Sequence, residues 1–186
     1  MNSLRRVSAI ADEGLELRFT AQNGDGYGLE LAGNSFLFKE RIEFGLATRL
    51  EGLPFAAGLL AAADVSRWDL DFFDAARLKV RFAADPPARL VAFGFNPLSR
   101  EYFLMPHRQT GREAGLSAAH GGIFGFAVAA PAEITALQSF VPANFADRLA
   151  HASGIAQFQA SSGSGAGSVA KNPIRRAGAP DRRAHV

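Results

Sequence analysis

Thirteen positions separate His107 from His120, and Arg108, Arg112 and Glu113 lie between them. A histidine pair with an acid can hold a metal or act as a general base, because imidazole titrates near neutrality and its neutral form offers a lone pair. That spacing matches no familiar ligand pattern, and isolated loop histidines are mostly surface residues. A ligand at this stretch would meet His107, Arg108, Arg112 and His120, the candidate binding residues. Ser117 stands near His120, but no Gly-x-Ser-x-Gly elbow occurs to make it a nucleophile.

Carboxylates gather earlier, at Asp64, Asp69, Asp71 and Asp74. On a strand, Asp69 and Asp71 would share one face roughly 7 Å apart. Two carboxylates that close can do acid–base or glycosidic chemistry, or ligate a metal. Arg67 has the same parity and would pair with them on a solvated face. Asn23-Gly24-Asp25-Gly26 offers Asp25 as a Ca²⁺ ligand. A full site needs about six to eight oxygens, and only Glu30 is near, so a plain hairpin turn explains the same residues. Trp68, Tyr27 and Tyr102 could stack on a sugar ring, but Trp68 shares the parity of Leu70 and Phe72 and reads as core.

The elements that would position these groups are strands. Leu78, Val80 and Phe82 alternate with Lys79 and Arg81, the two-residue period of a half-buried strand. Leu15, Leu17 and Phe19, then Tyr27, Leu29 and Leu31, alternate on either side of the Asn-Gly-Asp-Gly segment and predict a hairpin. Further strands are predicted over 36–46, with a bulge at Glu40, and over 68–72, 90–95, 102–105, 123–128 and 134–141. The run 90–95 is apolar on both parities, as in a strand covered on both faces. Asp74-Ala75-Ala76 reads as a turn, 53–63 as a packed connection, and 107–122 as a long polar loop. Asn144 can cap a short helix that Gly154 ends, with an edge strand over 155–158. Nine or ten short strands with brief connections predict an antiparallel β-sandwich of jelly-roll type over 12–160, with one or two short helices. Parallel pairing would need longer crossovers.

Composition bounds the function. The chain has 186 residues, which suits one domain plus a tail. Sixteen Phe against one Trp and two Tyr give apolar area with few polar atoms to satisfy. With no Cys, disulfides and thiolate metal sites are excluded. The net charge is +2, but residues 161–186 hold five cations and one acid, a surplus of +4 that leaves −2 on the rest. The folded body therefore offers no basic footprint for nucleic acid. No apolar run reaches the ~18 residues of a transmembrane helix, and Asp12 and Glu13 come too early for a signal peptide. Disorder is expected over 1–11 and over the Gly/Ser linker and basic tail of 161–186.

Leu90-Val91-Ala92-Phe93-Gly94-Phe95 and the later run Gly122-Ile123-Phe124-Gly125-Phe126, followed by Pro131 and Ile134-Thr135-Ala136-Leu137, carry a family likeness. They resemble a β-sandwich found in secreted bacterial proteins of the PEP-CTERM sorting type, where an "AFG" strand precedes a "GFFGF" strand, a Pro and an "ITSI"-like strand. The resemblance covers about 65–150 and rests on packing motifs. It implies an extracellular or surface-associated module, in some members suspected of carbohydrate or matrix binding, and brings no catalytic residue with it. The terminal Pro-Glu-Pro signal of that group is absent from this sequence.

The resulting expectation is a non-catalytic binding module whose ligand is a glycan, gripped by strand-end loops at 107–121 and 23–26. Two alternatives stand beside it. One is a glycan-active or metal-dependent hydrolase in which Asp69 and Asp71, or His107 and His120, converge in a cleft. The other is a structural subunit of an assembly.

Overall fold

A computed structural model describes residues 6–11, 14–36, 39–47, 50, 52–55, 58–87 and 90–163. Eleven strands precede two helices. The strands are β1 (Arg6–Ala11), β2 (Leu15–Thr20), β3 (Gly26–Leu31), β4 (Glu40–Leu46), β5 (Leu59–Ser66), β6 (Asp71–Arg81), β7 (Leu90–Asn96), β8 (Glu101–Met105), β9 (His107–Thr110), β10 (Glu113–His120) and β11 (Gly122–Val128). The helices are α1 (Pro131–Gln138) and α2 (Phe145–Gly163). One sheet has the order β1-β4-β5-β11-β7-β8 and the other β2-β3-β6-β10-β9. Every pairing is antiparallel, as the short connections require.

The sheets stack through the apolar parity read from the sequence. Leu17, Tyr27, Leu29, Leu78, Val80 and Leu116 of the five-stranded sheet meet Ile42, Phe44, Val65, Phe103, Phe124 and Phe126 of the six-stranded one. The six-stranded sheet is buried again on its other side. There Ala62, Val91, Phe93, Leu104 and Ala127 pack with Phe55 and with Ile134 and Leu137 of α1. This second layer explains why β7 is apolar on both parities. The fold is thus an all-β sandwich with a helical cover on one face.

Several local expectations are corrected. Arg6–Ala11, expected to be disordered, pairs with β4. The expected strand over 36–46 begins at Glu40, and Phe38 lies outside the described residues. Asp74-Ala75-Ala76 does not turn the chain. It lies within β6, where the β10 register shifts from Ala118↔Ala76 to His120↔Asp71, so the turn residues form an irregularity in one long strand. The expected loop at 107–122 is mostly the β9–β10 hairpin, turning at Gly111-Arg112 with Gly111 at φ +56°.

The expected strand over 134–141 is α1. Pro131 opens that helix, Glu133 accepts the Ala130 N–H at 2.7 Å, and Ile134 and Leu137 bury a helical face three residues apart. Asn144 caps α2 as expected, accepting the Ala146 and Asp147 N–H groups at 2.8 and 3.3 Å. The helix then continues through 155–158 to Gly163. Gly154 does not end it. A Cβ there would lie 2.8 Å from the Leu104 carbonyl carbon and the Met105 nitrogen, so this glycine lets α2 lie against β8. Residues 164–186, including most of the expected linker and tail, lie outside the described residues.

Candidate functional site

The helix cover is stitched to the sheets by polar side chains. β8 is an edge strand, and its outward backbone groups need partners. His151 Nδ1 accepts the Leu104 N–H at 2.9 Å. The Gln157 carboxamide accepts the His107 N–H at 2.8 Å and donates to the His107 carbonyl at 2.5 Å. One helical turn before His151, Asp147 is 1% exposed and bridges the ends of β7 and β10. Its Oδ1 meets His120 Nε2 at 2.5 Å, and its Oδ2 accepts from Asn96 Nδ2 at 3.0 Å. Asn96 Oδ1 in turn accepts the Leu98 N–H at 3.0 Å.

His120 is 5% exposed, and its Nδ1 faces the Gly121 carbonyl at 2.6 Å. A carbonyl and a carboxylate are both acceptors, so the ring donates twice and is an imidazolium. Burial alone pushes its pKa down. The Asp147 carboxylate, the Gly121 carbonyl and the charge of Asp71 outweigh that, and the pKa is raised. With both nitrogens committed and no exposure, His120 is a structural cation. It has no lone pair to offer as a base or metal ligand.

These roles set a pH window. His120 holds its proton more tightly folded than unfolded, so its stabilisation is complete below the ordinary imidazole value and is lost as pH rises through its folded pKa. His151 must stay neutral to accept from Leu104. Burial lowers its pKa and that of His107, so their share is complete above the ordinary value and is lost as pH falls through their folded pKa values. Urea unfolding from acid to mildly alkaline pH should therefore give greatest stability near about pH 6.5. His120→Gln should remove the alkaline decline. A wild-type curve flat on the alkaline side would contradict this assignment.

The other candidate residues are dispersed. His107 is half-buried at the start of β9, opposite Leu116, so it lies about 13 Å along β10 from His120. Arg112 sits in the hairpin turn and donates to Asp85 at 2.6 Å and to the Ala83 carbonyl at 3.1 Å. Asp25 is buried, accepting from Asn23 Nδ2 at 2.7 Å and from the Ala83 N–H at 2.8 Å, so both carboxylate oxygens brace the hairpin. Asp69 precedes β6 instead of sharing it with Asp71. The Arg67 guanidinium holds the Asp69 carboxyl below the usual range. Among the described residues no group of three or more His, Asp or Glu side chains is placed to hold a metal. Trp68, expected in the core, is 40% exposed at the β5–β6 turn, with its indole N–H on Asp64 at 2.9 Å.

Arg108 points to a different surface. It is exposed on β9, in register with Gly115 of β10, which pairs with Lys79 of β6, which pairs with Gly28 of β3, which pairs with Arg18 of β2. All five lie on the outer face of the five-stranded sheet, because their neighbours Leu17, Leu29, Leu78, Val80 and Leu116 point inward. Two shallow clefts lie on this face, of about 840 Å³ over Gly115 and about 510 Å³ over Gly26 and Gly28, with Lys79 on the wall of both. Sequence reading missed this surface. Gly26 registers as part of a turn and Gly28 as a polar-side position of the following strand, and nothing local aligns them with Gly115. No protein family model, curated protein or solved structure matches the chain.

Proposed function

We propose that this protein is a non-catalytic binding module that takes up a glycan on the outer face of its five-stranded sheet, at a cell surface or outside the cell. The observation that carries the reading is the pair of glycine-floored clefts on either side of Lys79. A glycine in a strand costs stability and leaves the backbone open to close approach. The in-register row Gly28-Lys79-Gly115 leaves a rigid sheet with room above its backbone and polar groups along the walls. The dispersal of the ionisable candidates supports binding over hydrolysis, since His120, Asp25, Asp69 and Arg112 are each spent on a separate structural contact and His107 stands apart from them. The sequence likeness to secreted sandwich modules supports the location.

Glycan-array binding, with and without chelator, tests this. The wild-type chain should bind a subset of glycans equally in both conditions, since the Asp25 oxygens are already hydrogen-bonded. Filling the cleft by Gly26→Leu or Gly28→Leu, where a Cβ would meet only the Arg81 or Lys79 Cβ at 3.8 or 4.0 Å, should abolish the signal while circular dichroism stays unchanged. Binding that survives both variants, or no binding to any glycan, would overturn the proposal.

A further inference from the structure

The charges on this face narrow the ligand class. On the half of β6 that pairs with β3, the outward side chains are Arg77, Lys79 and Arg81, all exposed, spaced about 7 Å apart; Asp71, Phe73, Asp74 and Ala75 are exposed on the other half. Gly115 lies between Lys79 on one neighbouring strand and Arg108 on the other. Those two cations start about 10 Å apart, and their side chains are long enough to close over the glycine from both sides. Arg77, Arg81 and Arg108 have no salt-bridge partner among the described residues. The nearby acids are Glu30, in register with Arg77 and paired with Lys79, Glu113, in register with Arg81 at the end of the cleft, and Glu16, paired with Arg18. The chain outside 161–186 has a net charge of −2, so this cluster is not a by-product of a basic composition. None of the outward residues in the rows from Arg77 to Arg81 is aromatic, and the exposed Phe73 of β6 lies about 13 Å from Arg77 along the strand.

We infer that the ligand is an anionic glycan, carboxylated or sulfated, with one acid group seated above Gly115 between Lys79 and Arg108 and the chain running along the Arg77–Lys79–Arg81 ridge. This rests on the reading of the face as the binding surface. Guanidinium groups suit it, because they grip carboxylate and sulfate oxygens through two N–H groups at once.

The test is affinity electrophoresis of the full chain against heparin, polygalacturonate, neutral dextran and duplex DNA, at low and high salt. Heparin or polygalacturonate should retard the chain and dextran should not, with affinity falling roughly tenfold or more at high salt. Lys79→Gln with Arg108→Gln should weaken polyanion binding by about tenfold or more. Both residues are exposed, so the thermal midpoint should hold. That double variant also separates this face from the cations at 171–183. Retardation by dextran alone would keep the binding face and remove the anionic assignment. Retardation by no polymer would remove both. Polyanion binding unchanged in the double variant would move the site elsewhere, and equal affinity for duplex DNA would reduce it to unspecific charge attraction.

Discussion

Asp147→Ala should lower unfolding stability by about 3–5 kcal/mol, the cost of breaking a buried ion pair from one side. The carboxylate is 1% exposed and serves His120 through one oxygen and Asn96 through the other. Its loss leaves an imidazolium that is only 5% exposed, with the Gly121 carbonyl and the more distant charge of Asp71 to meet it. The folded protein would answer by releasing the proton, so the His120 pKa should fall from above the ordinary histidine value to below it. Urea unfolding measures the first effect and an NMR titration of the ring the second. Asp147→Asn should fall between wild type and Ala, since the amide still accepts one bond but carries no charge. A variant within 1 kcal/mol of wild type by urea unfolding, with His120 still titrating high, would show that the pair does not hold α2.

Replacing both partners is a different experiment. A buried ion pair is weak evidence for stability in itself, because desolvation offsets most of the attraction. What Asp147 supplies is connection. It ties the start of α2 to the ends of β7 and β10, and His151 and Gln157 repeat the tie at β8 and at the start of β9. The helix carries few large apolar residues on its inner side, chiefly Ile155 and Phe158, so polar contacts fix where it lies.

That dependence explains what the sequence did and did not disclose. Two-residue alternation and short apolar runs bounded by turn residues depend only on neighbours in the chain, so β2 and β3 by the first and β7, β8 and β11 by the second were legible at nearly their observed lengths. Ile134 and Ala136 also alternate with Glu133 and Thr135, and there the short pattern misled. Pro131 at the first helical position and Glu133 reaching back to Ala130 were the better signal. Gly154 read as a helix end because local rules see only its flexibility. Its role is set by β8, fifty residues earlier. The candidate face was hidden for the same reason. Arg77, Lys79 and Arg81 stood in plain alternation, but their setting between Gly26, Gly28 and Gly115 is a matter of register between strands far apart in sequence. His120 was singled out for chemistry. Its partner Asp147 lies in the first turn of α2, where any helix favours an acid, and that position is also what aims it at the ring.

Gly121→Ala is the substitution expected to damage the sandwich most through shape alone. Gly121 links β10 to β11, where the chain passes from one sheet to the other. A Cβ there would fall 1.8 Å from the Arg67 carbonyl oxygen and 2.7 Å from its carbon. Both are backbone atoms, so no side-chain rotation can relieve the clash. The β5–β6 turn must move away from the crossing, and the Gly121 N–H bond to the Leu70 carbonyl at 2.8 Å is lost with it. Overpacking of this kind costs about 3 kcal/mol or more when the obstacle cannot yield. The displacement also shifts the carbonyl that accepts from His120, so the ring's raised pKa should drop in the same variant, although neither partner's side chain has changed. Gly28→Ala is the control. Its Cβ would meet only the Lys79 Cβ, at 4.0 Å, and stability should stay within about 0.5 kcal/mol of wild type. Equal stability for the two variants in denaturant unfolding would mean that the crossing at Gly121 is looser than its geometry requires, and an unmoved His120 titration would separate the corner from the ion pair beneath it.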